Sequence, residues 1–346
     1  MKNIKLATLF ALVAFVCYLA SCSDDDVVVD ESNTNQQSVT VYDTVRTTIY
    51  DTVQVVLPQN DYEGLYVYQL NDFLQSKIDP TLYYNIKILD KNPNFDTIRF
   101  SLWDASQIKV NLDLRECEEL EEIRDYALYY CQNLIKISIP NSVEHIGKGA
   151  FYHCSSLQEI NLPESLTSIS ANMFDSCVCL SNIKIPESVT EIRVRAFAHC
   201  RNLREITIPN SVTTIGWGAF ENCTSLNYIS IPSSVTEICG FAFAYCTDLW
   251  YITIPESVTE IGEGAFCNCT RLQDITIPKS VTEIGDYAFS WCTGLNWIRI
   301  ESSNPPTISQ LTFYNYTGKI YVPSSALDTY KAANYWKGLA DQIDVW

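Results

Sequence analysis

The chain has 346 residues, of which 41 are acidic and 23 basic, and its formal net charge at pH 7 is -18. Such a charge repels the phosphates of nucleic acids and anionic membranes, and it also repels polyanionic glycans. The composition therefore predicts no nucleic-acid partner and favours cationic or neutral ligands.

The amino terminus is predicted to be a targeting segment. Two lysines precede an apolar run over residues 6–19, which is too short for a stable membrane span and has the layout of a secretory signal. The run ends in Leu-Ala-Ser-Cys, which resembles the lipobox of bacterial lipoproteins, where cleavage precedes the cysteine and its sulfur receives diacylglycerol. We expect residues 1–21 to be a signal peptide and Cys22 to be lipidated. The alternative is that Cys22 is incidental.

An acidic run follows the cysteine directly. Residues 23–26 read Ser-Asp-Asp-Asp, which resembles the surface-export signal of Bacteroidetes lipoproteins. This resemblance implies an outer-membrane, lipid-anchored protein that faces the cell exterior. The alternative is a solvated charge run at a flexible terminus. Loss of the signal would leave 21 basic and 41 acidic residues.

The next segments are predicted to separate the anchor from the main fold. Residues 22–61 are polar and rich in threonine, and we interpret them as the lipid anchor and a disordered, extended spacer. Residues 62–107 precede a repeat array and are predicted to cap it, because an open end would expose apolar core and an unpaired strand edge.

The strongest signal is internal repetition with a period of 23 residues. The unit reads CxxLxxIxIPxSVTxIGxxAF, and proline closes seven of its eight predicted strands. The cysteines that mark the repeat are Cys131, Cys154, Cys177, Cys200, Cys223, Cys246, Cys269 and Cys292.

Each repeat is predicted to form one short strand and a return turn. The I-x-I piece alternates inward apolar and outward polar residues, and proline then removes a backbone donor and ends the strand. The second half turns Val143, Ile146, Ala150 and Phe151, and their equivalents, towards a core that only stacked neighbours can complete. Strands of successive repeats would lie about 4.8 Å apart in a parallel sheet.

This pattern resembles the BspA-like leucine-rich-repeat family of bacterial surface proteins over residues 108–300. The resemblance implies an α/β solenoid, a right-handed superhelix with a concave parallel sheet, short strands and irregular or short helical return turns. Leu112 and Leu114 stand two residues off the register, which predicts an irregular first repeat.

Departures from the pattern also occur later in the array. Ser170, Arg193 and Cys239 replace a recurring glycine, so local changes are expected in those turns. At the end, Glu301 stands where proline is expected. Residues 301–346 resemble the closing segment of the same family and are predicted to be a C-terminal cap with a strand and a short helix.

The cysteines of the repeat are interpreted as small buried hydrophobic residues rather than as a site. Their parallel side-chain directions argue against disulfides along the row, although the distances alone would permit them. Cys117, Cys179, Cys239 and Cys267 lie outside the row, and a bridge among them stays open.

The sequence predicts no enzyme, metal site or cofactor. It contains no GxSxG or HExxH motif, and the glutamates recur with the repeat rather than forming one special pair. His153 and His199 occupy one repeat position two units apart, about 10 Å by strand spacing, which is too far for one metal ion.

The outward positions of the strands are predicted to carry ligand specificity, because the repeat constrains only the inward ones. Exposed aromatic residues there suit protein hot spots or stacking on sugar rings. The alternatives are cross-strand pairs that stabilise the sheet, or contacts with the C-terminal cap. Tyr245 and Trp291, before two of the cysteines, are assigned to turn packing. The candidate site residues, expected to lie together on the concave face, are Tyr228, Trp250, Tyr251 and Trp297.

Two functions remain open at this point. The family resemblance implies binding of host matrix proteins or other cell-surface partners, so the first is a non-enzymatic adhesin or protein-interaction module. The alternative is a surface glycan-binding lipoprotein that serves polysaccharide uptake.

Lipidation at Cys22 can be tested with radiolabelled fatty acid in a bacterial host that processes lipoproteins. The Cys22→Ser variant should incorporate no label and keep its signal segment, because the acyl acceptor is lost. Cys17→Ala, inside the apolar run, is the control and should be labelled normally. Labelled Cys22→Ser protein would contradict the assignment.

Overall fold

The structure is a computed structural model that describes residues 41–42, 50–55, 74, 83–88 and 90–346. The predicted signal segment, Cys22 and the acidic run lie outside these residues. Within the described ranges, every helix is too short or too polar to cross a membrane.

The predicted solenoid is confirmed, and its I-x-I pieces stack in parallel along one side of the chain, which we call the strand face. Alternation places leucine and isoleucine inward and the residues between them outward. Two consecutive repeats, around residues 182–184 and 205–207, continue the stack, but their I-x-I pieces lack the regular backbone hydrogen bonds of a strand. The strands of the repeats on this face are β4 (Lys109–Asp113), β6 (Leu134–Ser138), β8 (Glu159–Asn161), β12 (Tyr228–Ser230), β14 (Tyr251–Thr253), β16 (Asp274–Ile277) and β18 (Trp297–Ile300).

A second row of strands was not predicted. Each repeat has a two-residue strand in its second half, most often Glu-Ile. These strands pair in parallel with their neighbours, except between residues 145–146 and 168–169. The pairing satisfies backbone groups that the stack removes from water. These strands are β5 (Glu122–Ile123), β7 (His145–Ile146), β9 (Ser168–Ile169), β10 (Glu191–Ile192), β11 (Thr214–Ile215), β13 (Glu237–Ile238), β15 (Glu260–Ile261) and β17 (Glu283–Ile284).

Additional strands and helices continue the stack at both ends. Before the repeats, β3 (Tyr83–Ile88) pairs with β4, and helix α1 (Phe95–Asp104) begins where the Asn94 side chain accepts hydrogen bonds from two backbone amides. The elements after the last repeat are β19 (Lys319–Val322), a 3₁₀ turn (Ser324–Ala326), α2 (Leu327–Ala332), a second 3₁₀ turn (Trp336–Leu339) and β20 (Ile343–Val345).

Part of the segment predicted as a disordered spacer, 22–61, is paired with the sheet. Strand β1 (Val41–Tyr42) is antiparallel to β2 (Tyr50–Val55), and β2 is parallel to β3. The prediction is wrong for these residues, because valine, threonine and tyrosine favour strands and the edge of β3 offers unpaired backbone groups.

The return segments of the repeats are turns without helix, which is the first of the two predicted forms, and they have the same shape in each repeat. Each repeat contains two residues with positive φ, and most of them are not glycine. The expected local changes at Ser170, Arg193 and Cys239 do not occur in the turn pattern, since a positive φ recurs two residues later as elsewhere. In other repeats glycine occupies the position of Ser170, Arg193 and Cys239, and the backbone of the preceding repeat is very close there. A Cβ on Gly262, for example, would lie 2.5 Å from the backbone nitrogen of Gly240.

A column of stacked phenylalanines forms the centre of the core. Successive rings are nearly parallel, and their centroids lie 5.4–5.7 Å apart. The column runs without a gap from the second regular repeat into the segment after the last one. Its members are Phe151, Phe174, Phe197, Phe220, Phe243, Phe266, Phe289 and Phe313.

The cysteines of the repeat form hydrogen bonds between neighbouring repeats in addition to packing in the core. From Cys154 onward, each thiol donates a hydrogen bond to the carbonyl oxygen of a residue 26 positions earlier, at 3.0–3.2 Å. For Cys177 and later members, that residue is the phenylalanine of the column. Burial raises the pKa of Cys246 to about 12, so these thiols are protonated at neutral pH and act as donors.

Truncation of one ring should test the phenylalanine column. Phe220→Ala removes a fully buried ring that stacks on both neighbours, and it should lower the free energy of unfolding by about 3–5 kcal/mol. Trp250→Ala, at an exposed position, should change it by less than about 0.5 kcal/mol. Urea unfolding followed by circular dichroism measures both. Equal losses in the two variants would contradict the central role of the column.

The buried thiols also predict alkaline unfolding under reducing conditions. Their folded-state pKa is raised, so the unfolded chain loses these protons first, and stability present below pH ~8.5 is lost as the pH rises towards 12. Each buried thiol should contribute a slope of about 1.4 kcal/mol per pH unit. Cys246→Ser keeps a donor without titrating there, so it should reduce the total slope by that amount. Urea midpoints that stay constant from pH 8 to 10.5 would refute this linkage.

Candidate functional site

Three aromatic side chains form an exposed cluster on the strand face, which we call the aromatic patch: Tyr228, Trp250 and Tyr251. Their exposed fractions are 44%, 51% and 38%. Tyr228 on β12 lies directly opposite Tyr251 on β14, with ring centroids 5.9 Å apart and planes within 6° of parallel. The Trp250 ring lies 5.8 Å from that of Tyr251, at 36°. The structure therefore brings together three of the four predicted residues.

The local sequence explains why these rings point outward. In the strand around β14, Leu249 and Ile252 are buried in the core, and the two residues between them have no inward position left. Neighbouring repeats use these outward positions for polar residues such as Asn227 and Gln273. The aromatic patch therefore arises because three outward positions carry aromatic residues, while the inward residues of these strands follow the repeat.

Trp297 does not belong to this patch. It lies two repeats beyond Tyr251, and the strand between them, β16, places Asp274 opposite it. Its half-buried ring packs edge to face against Tyr321 of β19, with ring centroids 6.5 Å apart and an angle of 69° between the planes. The prediction that all four residues lie together is therefore wrong for Trp297, because two repeat spacings separate it from the patch and it contacts the C-terminal segment instead.

Polar groups surround the aromatic patch. On one side, the backbone of Glu205 in the preceding repeat pairs with that of Tyr228. On the other side, Asp274 occupies the position equivalent to Tyr251 in the next repeat. Ser230 and Thr253 continue the two strands with hydroxyl groups. Three exposed rings inside a polar rim have the composition of a protein-binding hot spot, in which the rim keeps water from the centre.

The positive-φ turns before the repeat cysteines also carry aromatic residues. Tyr245 and Trp291, assigned to turn packing from the sequence, are both exposed, and Trp291 meets the Tyr314 ring edge-on at 6.3 Å. Both residues adopt a positive φ in their turns. Their exposed fractions of 41% and 49% leave more than half of each residue covered, so the assignment to turn packing stays a prediction.

A second aromatic group, beside α1, was not found from the sequence. The Arg99 guanidinium lies 5.1–5.4 Å from the centres of the Phe100, Trp103 and Tyr129 rings. Trp103 and Tyr129 also meet edge to face at 5.2 Å. These contacts attach α1 to the first repeats. The 23-residue pattern does not reveal them, because α1 precedes the repeats.

The histidines take part in local packing. His153 stacks on Tyr130 at 4.5 Å, and His199 Nδ1 lies 3.2 Å from Asp175 Oδ1. Burial alone would raise the pKa of Asp175, but hydrogen bonds from His199 and Ser176 and the charge of Arg195 outweigh it and lower the pKa. In the part of the chain that the structure describes, no three histidine, cysteine or acidic residues group as metal ligands.

The glutamate row of the second strands is a repeated feature, not an isolated pair. Glu237, Glu260 and Glu283 lie opposite one another in register and are exposed. Partial burial raises the pKa of Glu260, and the charges of its two neighbours raise it further. A catalytic acid and base pair needs two carboxyl groups in different environments, whereas the glutamates of this row share one environment.

The cysteines outside the row are free thiols, like the others that the structure describes. Cys117 and Cys267 are buried, whereas Cys179 and Cys239 are half-buried. Burial and the charge of Glu237 raise the pKa of Cys239 to about 11, which makes this thiol a poor nucleophile at neutral pH.

Comparison with solved structures found several leucine-rich-repeat proteins. The chain is 27% identical to one from T. pallidum, over 68% of this chain and 87% of that chain, with a TM-score of 0.42. It is 22% identical to one from Bacteroides ovatus, over 93% and 100%, with a TM-score of 0.41. It is 23% identical to a leucine-rich cell surface protein from Faecalibacterium prausnitzii, over 78% and 96%, with a TM-score of 0.35.

No curated protein matches the chain. A family model described as the BspA type leucine-rich-repeat region matches in six copies, over residues 121–250 and 236–333. Together these stretches cover more than half of the sequence. The chain therefore belongs to the BspA-type leucine-rich-repeat family.

Proposed function

We propose that this protein is a non-enzymatic adhesin or interaction module of the cell surface that binds a protein partner through the aromatic patch. The observation that carries the proposal is the cluster of three exposed rings on two paired strands of the stacked repeats. Tyrosine and tryptophan contribute large contact areas at interfaces, and a preformed surface loses little conformational entropy on binding.

Ring orientation favours a protein partner over a glycan at this patch. Tyr228 and Tyr251 stack in near-parallel planes, so one face of each ring lies against the other ring. A sugar ring stacks best on an open aromatic face, whereas a protein surface can use exposed edges and the gaps between rings. Trp250 has the largest exposed fraction of the three and is the best anchor.

Charge indicates the chemistry of the partner. The chain has a net charge of -18, and Glu205 and Asp274 flank the patch. A basic or neutral protein surface would be attracted, and an acidic one repelled. The partner is therefore a host or microbial surface protein whose contact region is not acidic.

The amino-terminal sequence supports a surface location. The apolar run over residues 6–19, the lipobox around Cys22 and the acidic run after it are the features of an exported lipoprotein. Several acyl chains on one residue attach a protein firmly, because each buried methylene contributes about 0.8 kcal/mol. The repeats would then be displayed outside the outer membrane on this anchor.

The binding test uses the purified, unlipidated chain from Ser23 onward against a panel of extracellular-matrix and surface proteins, with affinity measured by surface plasmon resonance. Trp250→Ala and Tyr251→Ala should each weaken binding by about 30-fold, as expected for hot-spot residues near 2 kcal/mol. Trp297→Ala, an aromatic change on the same face outside the patch, is the control and should leave the affinity unchanged.

Two outcomes would count against the proposal. Protein binding that survives both patch substitutions would remove the patch as the site. Binding of a glycan instead of a protein, lost in the same two variants, would favour the alternative of a glycan-binding lipoprotein that serves polysaccharide uptake.

A further inference from the structure

The strand face contains a second recognition feature at its amino-terminal end. A groove of about 550 Å³ lies over the outward side of β3, β4, β6 and β8, which we call the N-terminal groove. Its volume is in the range of small-molecule sites. The residues that matter for its chemistry are Tyr83, Asn85, Asn111, Ile135, Lys136 and Glu159.

A β-bulge shapes the floor of this groove. Val110 lies opposite Leu134, but the next residue, Asn111, lies opposite Lys136, so Ile135 is an extra residue in β6. Ile135 occupies an outward position, yet only 7% of it is exposed. Bulges bend a strand and redirect side chains beside binding sites. Ile135 therefore forms an apolar part of the groove floor beside the bulge.

Two amides lie side by side along one wall. Asn85 and Asn111 are opposite each other in β3 and β4, and Asn111 Nδ2 donates a hydrogen bond to Asn85 Oδ1 at 2.7 Å. Asn111 Oδ1 is buried and has no hydrogen-bond partner. Since buried polar atoms are nearly always paired, this oxygen is an exception within the chain, and it would meet a ligand only after the Asn111 side chain rotates.

The charged side chains that line the groove are already paired. Lys136 Nζ lies 2.6 Å from Glu159 Oε2, and Lys87 Nζ lies 2.9 Å from Glu116 Oε1. Arg115 makes two hydrogen bonds to Asp113, at 2.9 and 2.7 Å. An anionic ligand would have to break one of these pairs, whereas a neutral ligand would not. Hydroxyl groups can both donate to the carboxylates and accept from the cations that remain in place.

We propose that the N-terminal groove binds a neutral oligosaccharide. The amides, the paired charges and the apolar base suit a ligand with many hydroxyl groups and no charge. Tyr83 lies at one end, where the Lys109 ammonium is 4.9 Å from its ring centre. This site is separate from the aromatic patch, so the repeats would hold a sugar near the amino-terminal end of the strand face and a protein further along it, at β12 and β14.

The test is affinity electrophoresis of the chain from Ser23 onward in gels that contain a neutral α-glucan, β-mannan, xylan or galactan, with polygalacturonate as the acidic comparison. At least one neutral polysaccharide should retard the protein, and polygalacturonate should not. Asn85→Ala and Asn111→Ala should each weaken the retention at least tenfold. Asn182→Ala, an exposed amide on the same face beyond the groove, should retain full binding.

Trp250→Ala separates this site from the proposed protein site, because it should leave sugar retention unchanged. Circular dichroism of each variant confirms that the fold is intact. The groove assignment is overturned if no neutral polysaccharide retards the protein, if both groove variants bind as well as the parent chain, or if Trp250→Ala abolishes retention.

Discussion

Stacking of each repeat on the next is the interaction on which the whole structure depends. A single 23-residue turn has no core of its own, so its apolar side chains are covered only by the turns before and after it. The phenylalanine column and the thiol-to-carbonyl hydrogen bonds join neighbouring turns at the same place in every repeat. Stability is therefore distributed along the chain, and no single outward side chain is needed for the fold.

This arrangement leaves the strand face free to differ from repeat to repeat. The aromatic patch around Trp250 and the groove around Asn111 occupy the same face of the same scaffold, and they differ only in outward residues and in one bulge. Residues on the strands of a stacked sheet are held more precisely than residues on loops. Two ligands of different chemistry could thus be held by one protein without a conformational change.

The turns carry a conformational cost that the stack offsets. Residues such as Tyr126, Phe241 and Tyr287 adopt positive φ, which costs about 1–2 kcal/mol for a side chain with a Cβ, although glycine occupies the same position in other repeats. Backbone hydrogen bonds to the next repeat hold these residues in place, as when Phe241 donates to the Glu263 carbonyl oxygen at 2.7 Å.

The sequence by itself determined the repeat, its period, the inward residues of each strand and the family, because a side chain's place in a repeated pattern decides whether it is buried. It also indicated the irregular first repeat through Leu112 and Leu114. Only the tertiary structure decided the second row of strands, the thiol hydrogen bonds, the separation of Trp297 from the patch and the groove at Ile135. These features depend on how far one repeat is displaced against the next and on which backbone groups then meet. A pattern along one chain gives the order of the residues, but not the distances between atoms of neighbouring turns.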